Sequence, residues 1–273
     1  MNTEIEKEII NRYCNKGYGL RKSGEPYGVS DYLVKKLLKN KGIKIRNFSE
    51  AAKLSNSNRR FTINDDYFKT ENANMAYILG FIASDGTVRK NNNEIKITVA
   101  TRDKELLEKI KEELSLDRNI KDYEDSKGYL SSTLAFTSEK IKKDLSKYGI
   151  VPNKTFIFKF PQNLNKKYWV DFIRGYFDGD GCISSAGPNA IRTQVCSATR
   201  DVLEVMIGFL EQEFLIPKPH IQVRQGTRGR KNYYFQYSSC PTRVFFEKVY
   251  YPNCLCLERK LNKFKKLVPR NLK

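Results

Sequence analysis

Ala76-Tyr77-Ile78-Leu79-Gly80-Phe81-Ile82-Ala83-Ser84-Asp85-Gly86 is an apolar run that ends on an acidic residue and a glycine, and the chain carries an echo of it. The echo is Asp171-Phe172-Ile173-Arg174-Gly175-Tyr176-Phe177-Asp178-Gly179-Asp180-Gly181, ninety-five positions further on. Small residues recur at helical spacing: Ala76, Gly80 and Ser84 in one copy, Gly175 and Gly179 in the other. Such a strip lets two helices approach backbone to backbone. The pairing would bring Asp85 and Asp180 side by side at helix ends whose dipoles are already negative. Two carboxylates there repel unless a divalent cation lies between them, and hard oxygen ligands that leave room for water and phosphate suit Mg²⁺. Either Asp alone would read as a helix end before a glycine cap. Two at matching positions favour metal ligation.

Outward from each copy the same order of elements follows. A hairpin comes first: Thr87–Lys90 returning through Ile95–Val99, and Cys182–Ser184 turning at Gly187-Pro188-Asn189 and returning through Ile191–Val195. Alternation puts Ile95, Ile97 and Val99 on one face, with Lys96 and Thr98 on the other. Both return strands run into the same four letters, Ala100-Thr101-Arg102-Asp103 and Ala198-Thr199-Arg200-Asp201. Each opens an amphipathic helix with Thr as the expected N-cap. A second hairpin, about 118–136 and 220–238, is expected to turn Ile221 and Val223 inward and Gln222 and Arg224 outward. A last helix closes each half, and a basic helix with Arg259, Lys260, Lys263, Lys265 and Lys266 ends the chain. Each half therefore reads αββαββα.

Composition narrows the partner. The 273 residues carry a formal charge of +19, with 16 Tyr and 16 Phe in a chain that is 40% hydrophobic. Such a chain folds, and such a charge calls for a polyanion, nucleic acid first of all. No run is long and apolar enough to span a membrane. The acidic start is unlike a signal or transit peptide. Six scattered cysteines and one histidine give no zinc spacing, so the thiols are expected as small core residues in a reducing, cytoplasmic setting. Arg89, Lys96, Arg192, Gln194, Gln222, Arg224, Arg228 and Arg230 are the outward residues expected to meet DNA, with Arg reading guanine and Gln adenine.

Ahead of the repeats, Ile5, Ile9 and Ile10 mark one helix. Ser30 is a good N-cap for another, over 31–40, with Leu33, Val34, Leu37 and Leu38 on one side and Lys35, Lys36 and Lys39 on the other. The pattern is similar to a helix-turn-helix unit; the alternative is a helical cap packed on the main domain. Asn56 to Arg60 look like the least structured part of a linker.

The paired stretches resemble the two motifs of LAGLIDADG homing endonucleases, aligned as Ile78 to Gly86 and Ile173 to Gly181. The second copy has both acidic positions, Asp178 and Asp180; the first has Ala83 where the pattern's first Asp would fall. The resemblance, over about 73–268, implies a single-chain, two-motif endonuclease acting as a monomer. The expected fold is α+β: two tandem αββαββα repeats about a pseudo-twofold axis, forming a β-saddle, plus a small helical N-terminal domain. The expected boundaries are 1–47 for the helical domain, 48–72 for a linker, 73–160 for repeat one and 161–273 for repeat two. The implied activity is Mg²⁺- or Mn²⁺-dependent, staggered double-strand hydrolysis of DNA across the minor groove. Metal is expected at Asp85, Gly86, Asp180 and Gly181. A basic residue beside each metal, Lys154 and Lys260 here, would steady water or phosphate. Asp178 is expected at the helix interface, and Gln194, with Thr98 as its counterpart, near the metal. With no nucleophile at its start and Asn-Leu-Lys at its end, the chain is expected to be freestanding or intron-encoded. Two alternatives remain: a non-cleaving DNA-binding regulator on the same fold, and a maturase whose partner is an intron RNA.

Overall fold

The structure is a computed structural model that describes residues 2–47, 50–51, 61–187, 190–226 and 229–267. It divides into two compact units, Met1–Thr62 and Ile63–Lys273. Asn56 to Arg60, Pro188, Asn189 and Arg228 lie outside the described residues.

The smaller unit holds α1 (Thr3–Cys14), α2 (Leu20–Gly24), a 3₁₀ turn over Glu25–Tyr27 and α3 (Asp31–Asn40). Ser30 caps α3, its hydroxyl accepting from the Leu33 amide at 3.4 Å. Ile9, Tyr13, Val34, Leu37 and Leu38 form the core. Arg46 fastens the chain beyond α3 back onto α1, donating to the Tyr13 carbonyl at 2.9 Å with its guanidinium 3.8 Å over the Tyr13 ring. One expected core residue falls elsewhere. Leu33 is 49% exposed, because Val34, Leu37 and Leu38 fill the buried stripe and Leu33, one position before Val34, falls at its edge.

The larger unit begins earlier than the expected end of the linker. Tyr67 and Phe68 are buried, and the Tyr67 hydroxyl donates to Glu113 at 2.9 Å, so residues 63–72 pack on the first repeat. That repeat runs α4 (Ala73–Asp85), β1 (Gly86–Val88), β2 (Glu94–Ala100), α5 (Lys104–Glu113), β3 (Lys121–Glu124), β4 (Leu130–Thr137) and α6 (Glu139–Lys147). The second runs α7 (Trp169–Asp180), β5 (Gly181–Gly187), β6 (Ala190–Ser197), α8 (Arg200–Phe214), β7 (Gln222–Gln225), β8 (Lys231–Ser238) and α9 (Cys240–Val249), followed by α10 (Glu258–Leu267). The two sheets are antiparallel with the same order, β1-β2-β4-β3 and β5-β6-β8-β7. The fold is α+β with two αββαββα repeats, as the sequence pattern leads one to expect.

The helices α4 and α7 form the seam. A Cβ on Gly80 would stand 2.1 Å from the Phe172 carbonyl oxygen, and one on Gly175 would stand 1.9 Å from that of Tyr77. One on Gly179 would stand 1.9 Å from the Ser84 hydroxyl. No real side chain fits at those separations, so the small-residue strip is what lets the backbones touch. Both helices are buried nearly all round because each also faces its own sheet. Ile95, Ile97, Leu134 and Phe136 cover α4; Ile191, Val195 and Phe235 cover α7.

The shared Ala-Thr-Arg-Asp stretches open their helices by different routes. Thr199 occupies the N-cap of α8, but its hydroxyl donates to the Phe158 carbonyl at 2.8 Å instead of capping. In the first repeat Thr101–Asp103 is a 3₁₀ turn, and Asp103 takes the cap position of α5. On the outer strand β7 all four residues are exposed, Val223 at 49%. The expected inward turn of Val223 is therefore not found, while Ile221, just ahead of β7, is half-buried: alternation assigns two faces to a strand, but β7 is an edge whose second face is uncovered.

Candidate metal centre and nucleic-acid face

Asp85 is the last residue of α4 and Asp180 the last of α7; each is followed by the glycine that starts a strand. The helix seam brings the two ends together, with the Asp85 carboxyl carbon 3.3 Å from where a Gly179 Cβ would lie. Both carboxylates keep access to solvent, yet protein crowds them enough to penalise their charge. Burial raises the Asp85 pKa, against the pull of Lys260 and Lys154. Burial and then the Asp85 charge push Asp180 up to about 6, again opposed by the two lysines. A pair of neighbouring carboxylates that each resist ionisation is a place where a bound cation relieves strain on both.

Lys154 and Lys260 are buried, at 8% and 5% exposure, which is rare for lysine and demands partners. The Lys154 ammonium donates to the Gly86 carbonyl at 2.5 Å. The Lys260 ammonium donates to the carbonyls of Phe177, Asp178 and Gly181 at 2.6, 2.7 and 2.6 Å. Burial lowers both pKa values, that of Lys260 to about 8. Each lysine thus binds carbonyls at the end of its own motif helix, the Phe177 oxygen being shared with the Gly181 amide. Gly86 and Gly181, expected as metal ligands, are the residues these lysines hold. Their carbonyl oxygens accept from ammonium groups, and a cation already seated there repels another.

The donor set fits a divalent ion in part. Asp85 and Asp180 supply two hard oxygens, and among the described residues no group of three His, Cys, Asp or Glu gathers. A cleft of about 460 Å³ opens beside them, lined by Asp85, Thr98, Gly179, Gly181, Cys182, Lys260 and Lys263 among others. A hydrated ion such as Mg²⁺, which keeps several waters and takes one or two carboxylates, matches two ligands and an open side.

Asp178 sits at the helix interface. Its carboxylate accepts from the Tyr77 hydroxyl at 2.8 Å, the Tyr250 hydroxyl at 2.6 Å and the Leu257 amide at 2.7 Å. Arg174 is fully buried, donating to Asp171 at 2.7 Å, to the Leu255 carbonyl at 2.8 Å and to the Val249 carbonyl at 3.0 Å. These bonds hold the segment between α9 and α10. Arg259 then clamps Asp103 of the first repeat through bonds of 2.8, 3.1 and 2.9 Å. Together they set where Lys260 stands. The sequence pattern alone gives Asp171, Arg174, Tyr250, Asp103 and Arg259 no place at the site. The available signal was an acid and an Arg three apart inside an apolar helix.

The sheet residues are brought together in the second repeat more than in the first. Arg192 and Gln194 share the free face of β6, and Gln236 of β8 donates to Gln194 at 2.8 Å. Gln222 accepts from the Tyr234 hydroxyl at 2.6 Å, and Arg224 lies 5.0 Å over the Tyr234 ring. Arg230 packs 4.9 Å over Phe156. In the first repeat Lys96 lies on the free face of β2, while Arg89 follows β1 and pairs with Glu94 at 3.3 Å. Register also corrects a pairing. Gly86 opposes Ile97 whereas Gly181 opposes Val195, so the counterpart of Thr98 is Cys196, and Gln194 matches Lys96. Cys196 is half-buried; Cys14, Cys182 and Cys240 are exposed and Cys256 alone is buried, so the thiols are not core residues as a group.

Residues 72–150 match the model of the LAGLIDADG-like domain. The chain is 23% identical over 191 residues to an uncharacterized protein of Methanocaldococcus jannaschii, covering 66% of each chain. It is 29% identical over 113 residues to DNA-directed RNA polymerase subunit Rpo1C of the same organism, over 40% of this chain and 12% of that one. Among solved structures it is similar to the N-terminal LAGLIDADG domain of WhiA, at 17% identity and a TM-score of 0.45, covering 82% of this chain and 98% of that one. It is also similar to I-DmoI in complex with DNA and Ca, at 15% identity and a TM-score of 0.46, covering 74% and 99%. No helix among the described residues is long and apolar enough to cross a membrane.

Proposed function

We propose that the chain is a site-specific, divalent-metal-dependent DNA endonuclease making a staggered double-strand cut in a long, partly symmetric duplex. The observation that carries this reading is the meeting of Asp85 and Asp180 at abutting helix ends, each flanked by a buried lysine. The two carboxylates would hold Mg²⁺ or Mn²⁺, which when bound supplies an activated water and positive charge at phosphate. The chain's own residues do the rest. Lys154 and Lys260 pin the strand starts to the helix ends and keep a positive field where negative charge develops on a phosphate. Arg192, Gln194, Gln222 and Arg224 present donors and acceptors to base edges, and the net charge of +19 holds the backbone. A chain with both halves of the site works as a monomer.

One observation favours a second reading, a DNA-binding regulator that does not cut. An ammonium has three donors, and those of Lys260 are engaged by three carbonyls, which leaves none for water. A cleavage screen separates the two. Full-length protein meets a randomised duplex library in Mg²⁺, in Mn²⁺ and in chelator, beside Asp85→Asn and Asp180→Asn. Metal-dependent double-strand cuts that vanish in both variants are expected. Sequence selection with no cut in either metal would overturn the nuclease and leave the regulator.

A further inference from the structure

The smaller unit carries a surface that the reading above leaves idle. Charge within it is polarised. α1 with its preceding residues holds Glu4, Glu6 and Glu8 against Lys7 and Arg12, whereas residues 15–47 hold nine Lys or Arg against Glu25 and Asp31. The basic part is a short helix, a tight turn and a longer helix. The turn is close-packed: a Cβ on Gly24 would stand 2.1 Å from the Val29 carbonyl oxygen, and Gly28 has a φ of +65°. Both glycines are therefore needed to fold α2 against α3.

With Val34, Leu37 and Leu38 turned into the core, helical spacing puts Tyr32, Lys36 and Lys39 in a row on the opposite side of α3. Leu33 and Asn40 flank that row. Tyr32 is 71% exposed and Leu33 49%, an apolar pair beside lysines at the first turn of a helix. A soluble surface gains nothing from that pair, but a groove in a polyanion does. Lysines meet phosphates, while Tyr and Leu meet the thymine methyl and the sugar edge, which water would otherwise cover. In helix-turn-helix docking the first turns of the second helix are the part that reaches base edges, and the preceding helix lies across the backbone. Here that preceding helix bears exposed Arg21 and Lys22.

We infer that α3 is a DNA-reading helix, with Tyr32, Leu33 and Lys36 contacting base edges in a major groove and Arg21, Lys22 and Lys35 contacting phosphate. This gives the chain a block of sequence recognition separate from that of its sheets.

The test is binding selection with the full chain from a randomised duplex library in chelator, so that no DNA is cut. Wild type is compared with Tyr32→Ala, Lys36→Ala and, as a control on the acidic helix, Lys7→Ala. These side chains are exposed, and unchanged melting curves would show that the variants fold. The expected result is a selected site with two blocks, one of which loses its base preference in Tyr32→Ala and Lys36→Ala. Affinity for that site should fall about tenfold in each, and Lys7→Ala should change nothing. Lys35→Ala should instead weaken all duplexes and lower the salt slope by about one. A site whose blocks are all unaffected by the α3 variants overturns the inference and leaves the sheets as readers. A site with only the α3-dependent block supports it and overturns the sheet reading. Selection of no duplex sequence overturns both.

Discussion

At matched positions the two sheets present different chemistry. Glu94 of β2 stands where β6 has Arg192, Lys96 where it has Gln194, and Thr98 where it has Cys196. On the next strand Thr133 and Ala135 stand where the second repeat has Tyr234 and Gln236, and on the edge Lys121 and Tyr123 stand where it has Gln222 and Arg224. Methyls and hydroxyls at Thr98, Thr133 and Ala135 end at the sheet surface, whereas amides and guanidinium groups extend beyond it. The seam differs in the same sense. α7 buries Asp171, Arg174 and Asp178 where α4 has Ala76, Leu79 and Ala83. The repeats therefore share a frame and a lysine-to-carbonyl device, while the second carries the polar groups that lock its end and face outward.

The largest expected effect comes from making α7 resemble α4. Arg174→Leu imports the first repeat's residue and leaves Asp171 in the interior with Tyr251 as its remaining partner, at 2.5 Å. A broken buried pair costs about 3–5 kcal/mol, which urea unfolding should register. Adding Asp171→Ala should recover most of that loss; no recovery would mean that Arg174 acts through Val249 and Leu255 and not through the charge pair. Next in size is the contrast between the lysines. Lys260→Met removes three bonds to carbonyl oxygens, of which Phe177 keeps the Gly181 amide, and Lys154→Met removes one, at about 1–3 kcal/mol for each buried group left unpaired. Lys260→Met should melt clearly lower than Lys154→Met. Equal melting would make the two anchors equivalent.

The seam was legible because small residues four apart inside an apolar run have few other uses, and Gly80, Gly175 and Gly179 stand where that rule puts them. The repeats were legible from alternation and from the shared Ala-Thr-Arg-Asp. Register was not. The return strand lies eleven residues after Gly86 and fourteen after Gly181, and only backbone pairing shows that Cys196 and not Gln194 answers Thr98. Nor was the lysine geometry, since carbonyls at a helix end leave no mark in a sequence. Leu33 and Val223 misled for one reason: periodicity names a face but not whether anything covers it.

A smaller effect should separate the sheets as readers. In binding selection, Gln194→Ala and Gln236→Ala should each relax base preference over a few adjacent positions, worth about 1–3 kcal/mol of discrimination. Thr98→Ala and Thr133→Ala, whose hydroxyls bond each other at 3.0 Å, should leave the selected sequence nearly unchanged. Equal loss from both pairs would remove the asymmetry drawn from the side chains.

The smallest effect is a pH dependence at the two helix ends. Asp180 has a folded pKa of about 6, above the usual 3.8, so the folded state holds this proton more tightly than the unfolded chain does. Charging it therefore works against the fold: the penalty is absent below about pH 4, grows between about 4 and 6, and is complete above. Asp180→Asn removes the penalty and should raise the melting temperature by about 1–2 °C at pH 7.5 while leaving it unchanged at pH 4. Asp85→Asn should act in the same direction, because the Asp85 charge is part of what raises Asp180. Mg²⁺ added to wild type should mimic both, stabilising above pH 6 and not at pH 4, where the carboxyls hold protons in place of the cation. An equal shift by Mg²⁺ at both pH values, or an undiminished shift in the double variant, would place the ion elsewhere on the protein. It would also leave the paired carboxylates as a cost that the fold carries without a ligand.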